Sequence, residues 1–177
     1  MRWTAVVALL TLLAPASLAS GQGAKAQGAL ITMEGGGEIA LELWPDVAPN
    51  HVKNFLELAG KGFYDGQRVH RVEPKFVVQF GDPQSKTLPM DHPKMGTGGS
   101  DKKLRAEFNK KPFDRGVLGM ARTNDPDSAS SQVYLMLGDA HFLNGQYTAF
   151  GRVTKGMDVV DRIKVGDRIT SIKVVSP

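Results

Sequence analysis

Side chains that commonly carry enzyme chemistry are few in this sequence, and their spacing excludes several mechanisms. The chain has 177 residues and no Cys, which removes thiol nucleophiles, disulfides and Cys-based zinc sites. Its four histidines lack the H-x-x-x-H spacing of a metal site, and no G-x-S-x-G motif of a serine hydrolase is present. Acidic residues are scattered, without a carboxylate pair suited to glycoside hydrolysis. An enzyme here needs chemistry without a nucleophile, a metal or a cofactor.

Charge and glycine patterns argue against anionic ligands. The chain carries 22 Lys+Arg against 18 Asp+Glu, and no run of five or six basic residues indicates a nucleic-acid partner. Residues 96–100 (GTGGS) are glycine-rich, but no Gly-Lys-Ser/Thr sequence follows. This segment predicts a mobile loop and not a phosphate cradle.

The elements that must position any site are mostly short strands. Alternating segments at 29–33 and 38–44 flank Gly35-Gly36-Gly37, which predicts a β-hairpin. Further strand-like segments lie at 68–72, 75–80, 116–121, 133–137, 149–153 and 169–175. Many short strands with few helices favour a mainly β fold, a closed antiparallel barrel or a sandwich, over a parallel sheet.

Two helices and one long loop complete the predicted domain. Pro49 begins a helix whose apolar residues recur at i, i+3, i+4 and i+7, and Gly60 ends it. A second helix is predicted at 157–164. The segment 82–113 is long for a loop in a compact domain, so we expect it to be functional or to carry local structure of its own.

The N-terminal residues have the pattern of an export signal. Arg2 precedes an apolar run at 5–13, Pro15 follows, and residues 17–19 (SLA) place small residues where a signal peptidase cleaves. We expect cleavage after Ala19. The apolar run is too short to cross a hydrocarbon core of about 30 Å, so stable membrane insertion is not expected.

This pattern divides the chain into three parts. Residues 1–19 are the predicted signal peptide, and 20–28, rich in Gly, Ala and Gln, form a flexible lead-in. Residues 29–177 form the predicted folded domain. We expect an exported protein, periplasmic in a Gram-negative cell, and a monomer, because the sequence contains no heptad repeat.

A series of motifs resembles the cyclophilin family of peptidyl-prolyl cis-trans isomerases. They are 62–66 (GFYDG), 69–72 (VHRV), 76–83 (FVVQFGDP), 115–122 (RGVLGMAR), 131–135 (SQVYL), 142–145 (FLNG), 150–153 (FGRV) and 156–160 (GMDVV). Residues 121–129 (ARTNDPDSA) are similar to the bacterial branch. The resemblance implies an eight-stranded antiparallel barrel capped by two helices, and rotation about X-Pro bonds in proline-containing segments of client proteins.

The resemblance also implies the site. Arg71 would be the catalytic donor, with Gln79 beside it. The residues that would bind substrate are Phe76, Val77, Ala121, Arg122, Gln132, Tyr134, Phe142, Leu143 and Tyr147. In an extended strand Val77 and Gln79 share one face, so a single segment can supply both the ring pocket and the amide that orients the arginine. No cofactor or metal is implied.

Arginine suits this reaction for a physical reason. An X-Pro bond prefers trans by only about 0.5–1 kcal/mol, yet it interconverts slowly because amide resonance must be broken. In the twisted transition state the proline nitrogen regains a lone pair, which a hydrogen-bond donor can stabilise. A guanidinium stays protonated and offers several fixed donors, so it can stabilise the twisted state more than either planar state.

Five positions depart from the common family pattern. Tyr134 stands where phenylalanine is usual, Val77 where methionine is frequent, and Val133 where an aromatic residue is expected in the core. Phe80 stands where glycine is usual and could move the following loop. Glu73 lies two residues from Arg71 on the same strand face, where it would either orient the guanidinium or compete with substrate.

Two other functions fit the same residues. One is a proline-peptide binding module or periplasmic chaperone without meaningful turnover, since Arg71 can bind as well as catalyse. The other is a barrel that carries a small apolar ligand, against which the polar residues Arg71, Gln79 and Gln132 argue. We favour the isomerase that assists the folding of exported proteins.

We predict that cyclosporin inhibits this protein only weakly. Phe142 occupies the place of a tryptophan that the family uses for cyclosporin binding, and phenylalanine lacks the indole N–H donor. Tyr147 also stands where a histidine is often found at the pocket rim. An isomerisation assay with increasing cyclosporin measures this directly, and nanomolar inhibition of the purified protein would contradict the prediction.

Overall fold

The structure, a computed structural model, describes residues 27–175. The predicted signal peptide and residues 20–26 of the lead-in lie outside them. The elements are β1 Gln27–Met33, β2 Glu38–Leu43, α1 Pro49–Gly60, β3 Arg71–Glu73, β4 Val77–Phe80, β5 Val117–Met120, β6 Val133–Met136, β7 Ala149–Lys155, α2 Met157–Val160 and β8 Ile169–Val175. Short 3₁₀ helices occur at Pro83–Lys86, Pro126–Ser128 and His141–Leu143. None of the helices between residues 27 and 175 is long and apolar enough to span a bilayer.

The strands form one curled antiparallel sheet of eight strands in the order β3-β4-β6-β5-β7-β2-β1-β8. The mainly β prediction is confirmed, but a fully closed barrel is an overstatement. The end strands β3 and β8 share no ladder, since β3 has only three residues and pairs with β4. Backbone hydrogen bonds between residues 66–69 and 166–169, including a bridge from Arg68 to Arg168, span the gap.

Most element boundaries follow the sequence patterns. Helix α1 spans Pro49–Gly60 as predicted, and the glycine hairpin joins β1 and β2. Strand β1 begins at Gln27, two residues inside the predicted lead-in. Helix α2 ends at Val160, earlier than predicted, because the next amides bond three residues back and tighten the chain into turns.

Strands β4 and β6 are buried on both faces, which explains their continuous apolar sequence. Their side chains alternate between two clusters. Val78, Phe80, Val133 and Leu135 belong to the main core with α1, whereas Val77, Tyr134 and Met136 belong to a second cluster with Trp44, Phe113 and Leu143. The second cluster forms the base on which the candidate site is built.

Helix α1 takes its N-terminal cap from a distant residue. Its own capping position, Ala48, has no side-chain acceptor. Glu107, in the long loop, accepts hydrogen bonds from the backbone amides of Asn50 and His51 at 3.1 and 3.0 Å. Its carboxylate also lies 2.6 Å from His51 Nδ1. The loop thereby satisfies free amides of the first turn and places negative charge at the positive end of the helix dipole.

The stability that Glu107 and His51 contribute at this cap depends on pH. Burial lowers the pKa of His51, although the hydrogen bond with Glu107 opposes the shift. Burial alone would raise the pKa of Glu107, but hydrogen bonds from His51 and Asn50 outweigh it and lower this pKa. Both groups bind more protons in the unfolded chain than in the folded one. The free energy of unfolding therefore decreases as the pH is lowered past about 6.5, through His51, and past about 4.3, through Glu107.

We predict that Glu107→Ala lowers the free energy of unfolding by about 2 kcal/mol at pH 7, because it leaves helix amides and a buried imidazole N–H without an acceptor. Urea unfolding followed by circular dichroism measures this. The exposed Glu38, for which no side-chain hydrogen bond or ion pair is found within residues 27–175, provides the control Glu38→Ala. Equal stability of the two variants would contradict the capping role.

Candidate active site

Four neighbouring strands bring the central site residues into one row. Arg71 of β3 lies opposite Gln79 of β4, and Gln79 lies opposite Tyr134 of β6. Tyr134 lies opposite Gly119 of β5. A Cβ atom at Gly119 would overlap the Tyr134 ring, so the glycine leaves room for this ring against the backbone. Directly opposed residues share a sheet face, and the row therefore joins a guanidinium, an amide and an aromatic ring on one surface.

A directional chain of hydrogen bonds holds Arg71. Its Nη1 donates to Gln79 Oε1 at 3.2 Å, and Gln79 Nε2 donates to Gln132 Oε1 at 2.9 Å. Gln132 Nε2 then donates to the backbone carbonyls of Gly96 and Gly98 at 2.8 and 2.7 Å. Because a guanidinium can only donate, each amide in the chain has one possible orientation.

The last hydrogen bonds of this chain end on the glycine-rich segment, which has hydrogen bonds of its own to the rest of the fold. The buried carboxylate of Asp82 accepts hydrogen bonds from the amides of Gly96 and Gly98, at 2.7 and 3.3 Å. A Cβ atom at Gly98 would collide with Asp82, so the close approach requires glycine. Asp82 also caps the 3₁₀ helix Pro83–Lys86. Of these contacts, only the cap could be predicted from the sequence, because Asp followed by Pro is typical of the start of a helix.

The row faces a cavity of about 310 Å³. Every predicted site residue except Gln132 lines it: Arg71, Phe76, Val77, Gln79, Ala121, Arg122, Tyr134, Phe142, Leu143 and Tyr147. Gln132 lies behind Gln79 and lines an adjacent cavity. Its side chain contacts the site through Gln79, and the substrate contact predicted for it would lie in that adjacent cavity.

Aromatic and cationic side chains form the rim of the cavity. The rings of Phe76 and Phe142 stack with centroids 5.8 Å apart, and Phe142 remains 67% exposed. On the other side the Arg122 guanidinium lies 4.4 Å from the ring centroid of Tyr147. The base is the second apolar cluster, with Val77 and Leu143 buried. An apolar floor beneath a partly open rim suits a small ring on a longer peptide.

Arg71 is accessible and only loosely held by its acidic neighbour. Its Nε lies 3.5 Å from Glu73 Oε1, and the two side chains are 45% and 52% exposed. Within residues 27–175 no acceptor is found for Nη2 of Arg71. Glu73 thus contacts one edge of the guanidinium and does not seal it from the cavity.

His70, the residue before Arg71, adds no second positive charge beside the guanidinium. Both nitrogens of the His70 ring are buried, without a hydrogen-bond partner among the described residues. Burial lowers the pKa of His70, although attraction to Asp82 opposes the shift. The imidazole is therefore neutral at pH 7, and the positive charge at this point of the cavity is that of Arg71.

Sequence comparison assigns the family. Residues 29–176 match the model of the family described as cyclophilin type peptidyl-prolyl cis-trans isomerase/CLD. The chain belongs to this family. A probable peptidyl-prolyl cis-trans isomerase of Brucella suis is 47% identical over 144 residues, which are 80% of this chain and 74% of the relative. Peptidyl-prolyl cis-trans isomerase B of Bacillus subtilis is 36% identical over 144 residues, 80% of this chain and 94% of the relative.

Solved structures agree with this assignment. A cyclophilin-type peptidyl-prolyl cis-trans isomerase of Cryptosporidium parvum superimposes with a TM-score of 0.74 and 26% sequence identity, covering 86% of this chain and 99% of that one. The eight-stranded sheet with two helices is thus the cyclophilin fold, and the expected activity, peptidyl-prolyl isomerisation, is confirmed at the level of the family.

The structure accommodates the residues in which this cyclophilin departs from the family pattern. Val133 is fully buried, so the smaller side chain still belongs to the core. Phe80 is also buried, and its ring packs edge-on against Tyr64 with centroids 6.1 Å apart. Val77 lines the floor of the cavity. The Glu73 carboxylate contacts Arg71 at long range, as its strand position predicts.

Among the residues that depart from the family pattern, Tyr134 lowers the stability of the fold. Its hydroxyl is buried and has no hydrogen-bond partner among the described residues. The ring itself packs well, stacked on Phe113 with centroids 6.0 Å apart and edge-on to Tyr147 at 6.3 Å. Burial raises the pKa of Tyr134 far above its usual range, so the phenol is neutral.

One group of three potential metal ligands occurs in the described part of the chain, namely Asp114, Asp139 and His141. All three are exposed, and the His141 ring already lies 2.7 Å from an Asp114 carboxylate oxygen. None of them lines the cavity, and prolyl isomerisation needs no metal there.

We predict that Tyr134→Phe raises the free energy of unfolding by about 1 kcal/mol, because it removes a buried hydroxyl without a partner and keeps the ring. Urea unfolding of wild type and variant measures the change. Tyr64→Phe is the matched control, because the Tyr64 hydroxyl donates to the Ser131 carbonyl at 3.2 Å and its loss should destabilise. A destabilised Tyr134→Phe would contradict the prediction and indicate that a bound water satisfies the hydroxyl.

Proposed function

We propose that this cyclophilin is an exported enzyme in which Arg71 catalyses rotation about X-Pro bonds of client proteins. The observation that carries the proposal is the position of the Arg71 guanidinium. It lies at the edge of an apolar cavity, with Nη1 bonded to Gln79 and with no acceptor for Nη2 among the described residues. A substrate nitrogen at that edge would meet a positioned donor.

The cavity would hold the proline ring while the flanking chain rotates. Val77, Tyr134 and Leu143 offer an apolar floor, and Phe76 with Phe142 offers a wall. Desolvation of the ring fixes the X-Pro bond next to Arg71 without contacts that depend on whether the bond is cis or trans. Binding energy of this kind positions the substrate and leaves transition-state stabilisation to the guanidinium.

A single guanidinium site of this kind can lower the barrier to X-Pro rotation enough for enzymatic rates. The barrier to rotation is about 18–20 kcal/mol, and lowering it by about 7 kcal/mol would accelerate the reaction roughly 10⁵-fold. Arg71 stabilises the nitrogen lone pair that exists only in the twisted state. The chain of amides from Gln79 to the carbonyls of Gly96 and Gly98 holds the donor in place, so little reorganisation is needed at the transition state.

Export is supported by the first 19 residues. The charged residue Arg2, the apolar run at 5–13 and the small residues before Ser20 form a secretory pattern. An isomerase without cysteine needs no defined redox state, which suits an extracytoplasmic compartment. We propose periplasmic folding or remodelling of exported proteins as the cellular role, with proline-containing segments as partners and a monomeric enzyme.

We predict that Arg71→Ala lowers kcat/KM for X-Pro isomerisation by about 10²–10³-fold, the effect of removing one preorganised donor to a transition state. Exchange NMR on a proline peptide measures turnover without a coupling protease. Peptide binding, followed by chemical-shift titration of the same samples, should change far less because the apolar floor remains.

Two control variants make the test specific. Arg105→Ala removes an exposed arginine that lines neither cavity and should leave kcat/KM unchanged. Glu73→Gln removes the negative charge 3.5 Å from Arg71 Nε and should change kcat/KM by less than about fivefold, the effect of an exposed ion pair. Full activity of Arg71→Ala would exclude the catalytic role. A wild type that binds peptides without turnover would instead indicate a binding module.

A further inference from the structure

A second cavity of about 290 Å³ adjoins the first. The two cavities share Gln79, Ala121 and Arg122 as common walls. The remaining lining residues of the second cavity are Gly96, Thr97, Gly98, Gly99, Lys103, Thr123, Ser128, Ser130 and Gln132. Its floor is thus the anchored glycine segment, and an extended peptide with its proline in the first cavity would pass over the shared wall into the second.

The side chains that line the second cavity carry positive charge only. Lys103 and Arg122 line it, and no Asp or Glu does. Lys102, the neighbour of Lys103, reaches Glu57 at 4.0 Å, whereas Lys103 forms no ion pair within residues 27–175. Arg122 donates to the carbonyls of Gln146, Thr123 and Asn124, which are neutral acceptors. Both cations therefore lack a carboxylate partner in the described part of the chain.

Three carboxylates near the second cavity lie outside its lining, and each accepts at least one backbone hydrogen bond. Asp82, beneath the floor, accepts from the amides of Gly96 and Gly98. Asp125 and Asp127, in the turn that carries Ser128, accept from the amides of Asp127 and Ala106. Asp125 and Asp127 are exposed but do not line the cavity, whereas the exposed Lys103 does.

We propose that the second cavity selects client segments with an Asp or Glu side chain two or three residues from the proline. The inference rests on the proposed function, since it places the proline in the first cavity. An extended chain advances about 3.3 Å per residue, so a residue at that separation lies about 7–10 Å from the proline, and the wall that the two cavities share includes Ala121. Lys103 is the specificity-determining residue, and Arg122 adds charge at the shared wall.

A peptide series tests the proposal. Blocked alanine-based peptides with one proline carry a single Glu, Gln or Lys at the second or third position on either side of the proline. Chemical-shift titration gives Kd, and exchange NMR gives the isomerisation rate for each peptide. At low ionic strength we expect the Glu peptide to bind about fivefold more tightly than the Lys peptide at one of these positions. Added salt should reduce this ratio.

Lys103→Glu and Lys102→Glu form a matched pair of variants. Both change the net charge equally at adjacent exposed positions, but only Lys103 lines the second cavity. Lys103→Glu should abolish or invert the Glu-to-Lys ratio, and Lys102→Glu should change it much less. Equal effects of the two variants, or equal Kd values for Glu and Lys peptides at all positions, would overturn the proposal.

The two readouts separate this inference from the proposed function. Isomerisation of every peptide without charge preference would leave the enzyme assignment intact and refute the role of Lys103. Charge-dependent binding without isomerisation would support the role of the cavity and refute the catalytic role of Arg71.

Discussion

The site depends on one constraint, that a guanidinium has five donors and no acceptor. Once Nη1 of Arg71 is directed at Gln79, the amide of Gln79 must present its oxygen to Arg71 and its nitrogen to Gln132. The same polarity passes through Gln132 and ends on backbone carbonyls of the glycine-rich segment. An arginine on a short strand at the end of the sheet is thereby tied to a loop some twenty-five residues further along the chain.

Strands β4 and β6 carry both the apolar side chains of the core and residues of the candidate site. In β4 and β6 one set of alternate side chains fills the main core, and the other set forms the cluster under the cavity. Burial on both faces fixes strand register, because a slip by one residue would exchange the two sets. The row of Arg71, Gln79 and Tyr134 follows from this register. The positions of these candidate site residues are thus set by hydrophobic burial, and the orientation of Arg71 and Gln79 is set by hydrogen bonds.

Much of this arrangement could be predicted from the sequence. Apolar spacing and the residues Pro49 and Gly60 predicted the bounds of helix α1. All the predicted site residues except Gln132 line one cavity. The long loop could not be predicted, because its contacts join residues that are distant in the chain. Asp82 beneath Gly98 and Glu107 at the start of α1 leave no periodic pattern. The open seam between β3 and β8 also escaped prediction, since strand-like composition does not show how many residues will pair.

The position of β3 at the end of the sheet has a mechanical consequence. Only three register pairs, all with β4, hold this strand in a ladder. A client chain bound as proposed, and pressing against the guanidinium, would therefore strain a single short pairing and not β4 or the strands behind it. For the proposed enzyme this would mean a firm base with one compliant side, an arrangement suited to polypeptides whose bulk around the proline differs.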